Sequence, residues 1–168
     1  CQVYPNAPMG SREYQEKFGI KTSRIPLLGI HYNPEFNGVP EYFDIITETS
    51  TMPKSDWVKA CMFSVILQTF HHLGLIRYFA IYLHLEKGVS YYDFYNSLFD
   101  YIYKENKGFL NEFFTSLYQR KADTETADWT YNRDIFGTTG WYFEEGAFLE
   151  MAYHSDAFWT EIRPFLEK

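Results

Sequence analysis

Apolar positions dominate the run from Val58 to Leu75, broken by Lys59, Ser64, Gln68, Thr69, His71 and His72. Those polar groups are costly in hydrocarbon, so the run reads as a buried helix and not as a membrane span. The helix is predicted from Thr51 to Leu73, with Thr51 as N-cap, Pro53 in the first turn, Asp56 near the positive end of the dipole and Gly74 behind its last turn. Its central positions, Ala60 to Leu67, are apolar nearly all round, which is the pattern of a helix at the centre of a bundle.

Helical spacing continues downstream. A second helix is predicted from Leu75 to Glu86, between Gly74 and Gly88. Ser90 followed by Asp93 resembles a capping box with Asp in place of Glu, and opens a third helix to about Lys104. Gly108 to Lys121 makes a fourth, the polar stretch Ala122 to Thr139 a long loop, and Trp141 to Tyr153 and Ser155 to Lys168 the last two, with Pro164 expected to kink or shorten the final helix. Short connections favour antiparallel packing of neighbours.

The beginning of the chain reads differently. Pro5, Pro8, Pro26, Pro34 and Pro40 leave an extended wrapping segment with one short helix, Ser11 to Phe18, ended by Gly19. Between Tyr42 and Thr51 the run Phe43 to Thr49 is rich in β-branched residues and predicts one strand, which needs a partner from elsewhere because its edges are unpaired. The expected fold class is therefore mainly α: an irregular segment over 1–50 with one short helix and one short β-strand, then a bundle of about five to six helices over 51–168.

Composition narrows the function classes. The 168 residues carry 16 Phe, 15 Tyr and 4 Trp within a hydrophobic share of 46%, enough apolar surface to order about one domain. Fifteen Lys and Arg against 22 Asp and Glu give a net charge of -7 with no basic stripe, which excludes a nucleic-acid surface. The two cysteines, Cys1 and Cys61, have no ligand spacing, so a reducing, cytoplasmic compartment is expected and Cys61 reads as a small hydrophobe in its helix. The chain opens without Met inside a polar, proline-containing stretch, and is expected to be a fragment of a longer protein.

Candidate chemistry is sparse. His71 and His72 point about 100° apart on a helix, which keeps both from facing one metal, although His84 on the next helix offers a third imidazole. The competing reading makes these histidines satisfied core or interface groups. Glu144, Glu145 and Glu150 suit the start of a helix by charge alone, and Asp123, Glu125 and Asp128 lack the glycine and spacing of a calcium loop. The tyrosines from Tyr91 to Tyr103 read as packing rings, one or two of which line a pocket in the alternative reading. No phosphate loop, nucleophile elbow or metal-spaced cysteine set occurs, so an autonomous enzyme is not expected.

The stretches Tyr4-Pro5-Asn6-Ala7-Pro8-Met9, Glu13-Tyr14 and Lys17-Phe18-Gly19-Ile20 resemble the segment after the catalytic barrel of cobalamin-binding radical SAM enzymes. Ile45 to Met52, Asp56-Trp57, Gln68-Thr69-Phe70-His71 and Gly88-Val89-Ser90-Tyr91 extend the resemblance over most of the chain. It implies a parent with a 4Fe–4S cluster, S-adenosylmethionine and cobalamin, with methyl transfer as one use of the last. The three-cysteine cluster motif and the Asp-x-His-x-x-Gly cobalamin motif are absent here, so their ligands are expected upstream of Cys1, and no cofactor is expected in this stretch itself. By the same resemblance the chain closes the mouth of the upstream barrel, with Asn6, Met9, His71, Arg77 and Tyr82 as substrate-pocket candidates and a small molecule or peptide as substrate. The alternative, from the residues alone, is a helical domain without enzymatic activity whose aromatic surface binds a protein partner.

Overall fold

A computed structural model of the chain describes residues 2–26, 42–123 and 129–168. Among them are seven α-helices and several short strands, so the mainly helical fold class holds. Pro34, Pro40, Glu125 and Asp128 lie outside the described residues. The chain divides into two compact units, Cys1–Cys61 with Tyr118–Gly140, and Met62–Leu117 with Trp141–Lys168.

In the first unit the expected strand is β3, Tyr42–Glu48, and its partners come from the segment expected to be irregular. β1 (Gln2–Val3) and β2 (Lys21–Pro26) both pair with it antiparallel, in the order β1-β3-β2. Charge complementarity supports the register: Lys21 faces Glu48 at 2.7 Å, and Arg24 grips Asp44 through Nε at 3.0 Å and Nη2 at 3.2 Å. Between β1 and β2 the helix α1 (Arg12–Phe18) starts where Ser11 Oγ accepts from the Tyr14 amide at 3.2 Å. It stops at Gly19, whose φ of 59° is the left-handed conformation that carries little penalty only without a Cβ. The Ser50 amide then donates to the Phe18 carbonyl at 2.9 Å, tying the end of α1 to the turn after β3.

The central helix is shorter than its sequence pattern. α2 runs Lys54–Leu67, begins on the Pro53 carbonyl instead of a Thr51 cap, and continues as a π turn over Gln68–His72. Val58, Met62, Ile66 and Phe70, each four residues apart, are 0–2% exposed, so this row is core as expected. The opposite row, Asp56, Ala60 and Ser64, is exposed, and Phe63 is only half-buried against Phe99. An apolar helix stays partly uncovered here because Ala60 and Ser64 are small and offer little area to bury.

The second unit holds α3 (Arg77–Lys87), α4 (Tyr91–Asp100), β5 (Trp141–Tyr142), α6 (Phe143–Tyr153) and α7 (Ser155–Leu166), with most of α5 (Phe109–Ala122). The last turns of α5, with β4 (Thr130–Tyr131), belong to the first. Ser90 caps α4 as expected, its hydroxyl accepting from the Asp93 amide at 3.0 Å, but the box is not reciprocal: the shorter Asp93 carboxylate accepts from the Ser90 hydroxyl at 2.6 Å and not from the Ser90 amide. α4 then widens into a second π turn, Tyr101–Glu105. Pro164 does not end α7, which runs on to Leu166; the missing amide falls in the last turn, where little helix remains to be broken. Phe70 sits at the centre of the unit, its ring 5.8 Å from Phe114 and 6.1 Å from Phe158. No helix among the described residues is long and apolar enough to cross a membrane.

Candidate functional site

The π turn after α2 is where sequence-predicted residues gather. By adding a residue to one helical turn, it gives buried Thr69 a carbonyl partner, Glu144 O at 3.2 Å, and leaves His71 half-buried above α4. His71 Nδ1 lies 2.8 Å from the Tyr95 hydroxyl, and its ring meets those of Tyr91, Tyr95 and His72 edge to face at 5.5–5.6 Å. His84 does converge on this group, though through Tyr91, on which it stacks at 4.5 Å, and not through a shared metal. Its own Nδ1 lies 3.0 Å from the Val89 carbonyl. Among the described residues no group of three or more His, Cys, Asp or Glu is arranged to hold a metal ion.

Electrostatics gives the cluster one sign. Burial holds the His71 imidazole below its ordinary pKa, and the positive charges of His72 and Arg77 push in the same direction. Burial drives the Tyr95 phenol far above its ordinary range, so it keeps its proton. Arg77, the first residue of α3, is half-buried and has no carboxylate partner among the described residues, its guanidinium lying 5.5 Å from the Tyr78 ring.

The lowered pKa has a consequence for stability. The unfolded chain takes up a proton on this imidazole before the folded one does, so stability contributed by neutral His71 is intact above about pH 6.5 and is lost as pH falls below it. Urea midpoints measured from neutral to mildly acidic pH are expected to fall less in His71→Gln than in the parent sequence. Equal slopes would show that the imidazole titrates alike in both states.

The other candidates are elsewhere. Tyr82 lies further along α3 and is 55% exposed. Asn6 and Met9 belong to the first unit: Asn6 is exposed in the turn after β1, while Met9 lines a 420 Å³ hollow with Tyr14, Phe18, Ile20, Ile46 and Thr49. Cys61 is a free thiol raised by burial, an effect the nearby Lys121 cation partly offsets. That cation is itself 1% exposed and stacked on two indoles, 2.9 Å from the Trp129 ring centre and 4.8 Å from that of Trp57.

The sequence offered His71 and Arg77 as candidates but did not show Tyr95 as the hydrogen-bond partner of the imidazole. Its only signal was a tyrosine among apolar positions of an amphipathic helix, where a buried hydroxyl must find a partner. An iron–sulfur cluster asks for three thiolates and the chain has two cysteines, so its residues do not fit that group.

No family model matches the chain. Over 98% of its length it is similar, at 29% identity, to the cobalamin-dependent radical SAM methyltransferase TokK of Streptomyces tokunonensis. Over the same share it is similar, at 24% identity, to the 2-(S-pantetheinyl)-carbapenam-3-carboxylate methyltransferase of Streptantibioticus cattleyicolor. In both cases the match covers 26% of the relative, so the chain spans about a quarter of the length of the curated relatives it matches.

Proposed function

We propose that the chain is the part of a cobalamin-dependent radical SAM methyltransferase that follows the catalytic barrel, covering the barrel and contributing side chains to the substrate pocket while the cofactors are held elsewhere in the protein. The similarity along nearly the whole chain to two such methyltransferases, each much longer than the chain, carries this reading. The surface of α3 supports it. Ile76, just before the helix, and Ala80 on its inner face are each 1% exposed, while Tyr78, Tyr82 and Leu85, spaced four and three apart in one stripe, are 72%, 55% and 72% exposed. A helix apolar on both sides is ordinarily covered on both sides. In the longer protein the uncovered stripe meets the rest of the polypeptide. The cluster of His71 and Arg77 lies at the start of the same helix, and Asn6 and Met9 are the candidates on the first unit. The parent's cofactors on this reading are a 4Fe–4S cluster, S-adenosylmethionine and cobalamin, which together supply the methyl group and the radical; the residues of this chain bind and orient the acceptor. A cytoplasmic setting suits that oxygen-sensitive chemistry and the free thiol of Cys61.

The test uses the longer protein, reconstituted without oxygen. Wild type is expected to consume S-adenosylmethionine, and no consumption would overturn the reading. Asn6→Ala, at an exposed position, is expected to lower turnover with the melting temperature nearly unchanged. Tyr82→Glu with Leu85→Glu should cut turnover about ten-fold, because two carboxylates would have to be buried at the covered face, with iron and cobalt content retained. The same stripe would suit a separate partner protein in a helical interaction domain. That alternative gains if both variants keep full turnover while a binding partner is lost.

A further inference from the structure

We infer that His71 is a fixed hydrogen-bond donor, presenting Nε2–H to a carboxylate oxygen of a small molecule beside the Arg77 guanidinium, and that Tyr95 is the residue that positions it. Tyr95 is 1% exposed, so its hydroxyl is closed to water, and the one partner it has among the described residues is His71 Nδ1 at 2.8 Å. A neutral imidazole offers one nitrogen as donor and the other as acceptor. If Nδ1 carried the proton, the phenol proton would be buried with no acceptor, at the full cost of its desolvation. The hydroxyl therefore donates to Nδ1, which places the imidazole proton on Nε2.

His71 is half-buried, and its Nε2 has no partner among the described residues yet is not one of the nitrogens closed off from the surface, so it remains open on the side away from Tyr95. The ring has little freedom to turn away: Tyr91, Tyr95 and His72 meet it edge to face, and Tyr91 is itself backed by His84. A donor held in this way matches an acceptor that arrives from outside the unit. The charges around it select an anionic acceptor. Arg77 is the permanently charged neighbour that acts on His71, and it is not paired with a carboxylate among the described residues. In a chain with a net charge of -7 this is a local positive site, and a carboxylate suits it better than a neutral carbonyl because both the imidazole N–H and the guanidinium bind it with charge assistance. That the carboxylate belongs to the methyl acceptor rests on the function proposed above; the orientation of His71 does not.

The test is made on the longer protein labelled with nitrogen-15 histidine. Long-range proton–nitrogen spectra at neutral pH are expected to assign His71 as the Nε2–H tautomer, and Tyr95→Phe to shift it toward a mixture of tautomers. Sodium acetate should displace the His71 Nε2 resonance saturably, while sodium chloride at equal ionic strength and neutral acetamide should not. Arg77→Gln should weaken the acetate response about ten-fold. A His71 protonated on Nδ1, or displaced equally by acetate and chloride, would overturn the proposal. Consumption of S-adenosylmethionine without any acetate response sinks the site and leaves the methyltransferase reading standing. An acetate response without consumption does the reverse.

Discussion

Phe70→Ala is expected to be among the most damaging single substitutions in the second unit, costing about 3–5 kcal/mol. Phe70 is 0% exposed and holds ring contacts to α5 through Phe114 and to α7 through Phe158, so truncation removes aromatic pairing from two helices at once and leaves a void that neither can fill by rotation. Ile66→Ala, one turn earlier on the same buried row, should cost about 2–5 kcal/mol. Phe63 differs. Its ring is half-buried, so although it belongs to the same apolar run, Phe63→Ala should cost clearly less than either. Urea melts of the three variants check the order; a Phe63→Ala loss equal to that of Phe70→Ala would mean the buried row is misassigned.

Glu161→Ala should lower stability by about 1.5–3 kcal/mol, a large effect for a residue that is only half-buried. Its carboxylate, carried on α7, accepts from the Phe109 amide at 2.8 Å and the Leu110 amide at 2.9 Å, and so caps the start of α5 from another helix. Asn106 completes the cap, Oδ1 accepting from the Gly108 amide at 2.9 Å and from the Asn111 amide at 3.3 Å. The arrangement requires glycine at 108, because a Cβ there would collide with the Glu161 carboxylate. Gly108→Ala is thus expected to destabilise by the same route, and the double variant to lose less than the sum of the two. Additive losses in chemical denaturation would show that the two positions act separately.

These expectations separate what neighbouring residues decide from what distant ones do. The helix of α2, the cap formed by Ser90 and Asp93 and the stop at Gly19 were legible because each depends on residues within one or two turns: an apolar period, a hydroxyl three residues before an amide, a backbone conformation that glycine tolerates. His71 and Arg77 were candidates by the family resemblance, and no local pattern singled them out.

Tertiary structure decided the rest. β3 pairs with β1 more than forty positions upstream and with β2 across a proline-containing stretch, and a strand's own pattern says that it needs a partner without saying which. The Glu161 cap joins residues 51 and 52 apart, and the Tyr95 hydroxyl reaches His71 from 24 residues away. The physical reason is common to all three. A local pattern fixes which groups must be satisfied, since a buried donor or acceptor left alone costs as much as several favourable contacts return, but which group satisfies them depends on where packing brings the other elements. Thus the amino-acid sequence alone determined a mainly helical chain with a buried central helix, whereas the tautomer of His71 and the exposed side of α3 were settled only once the helices had packed.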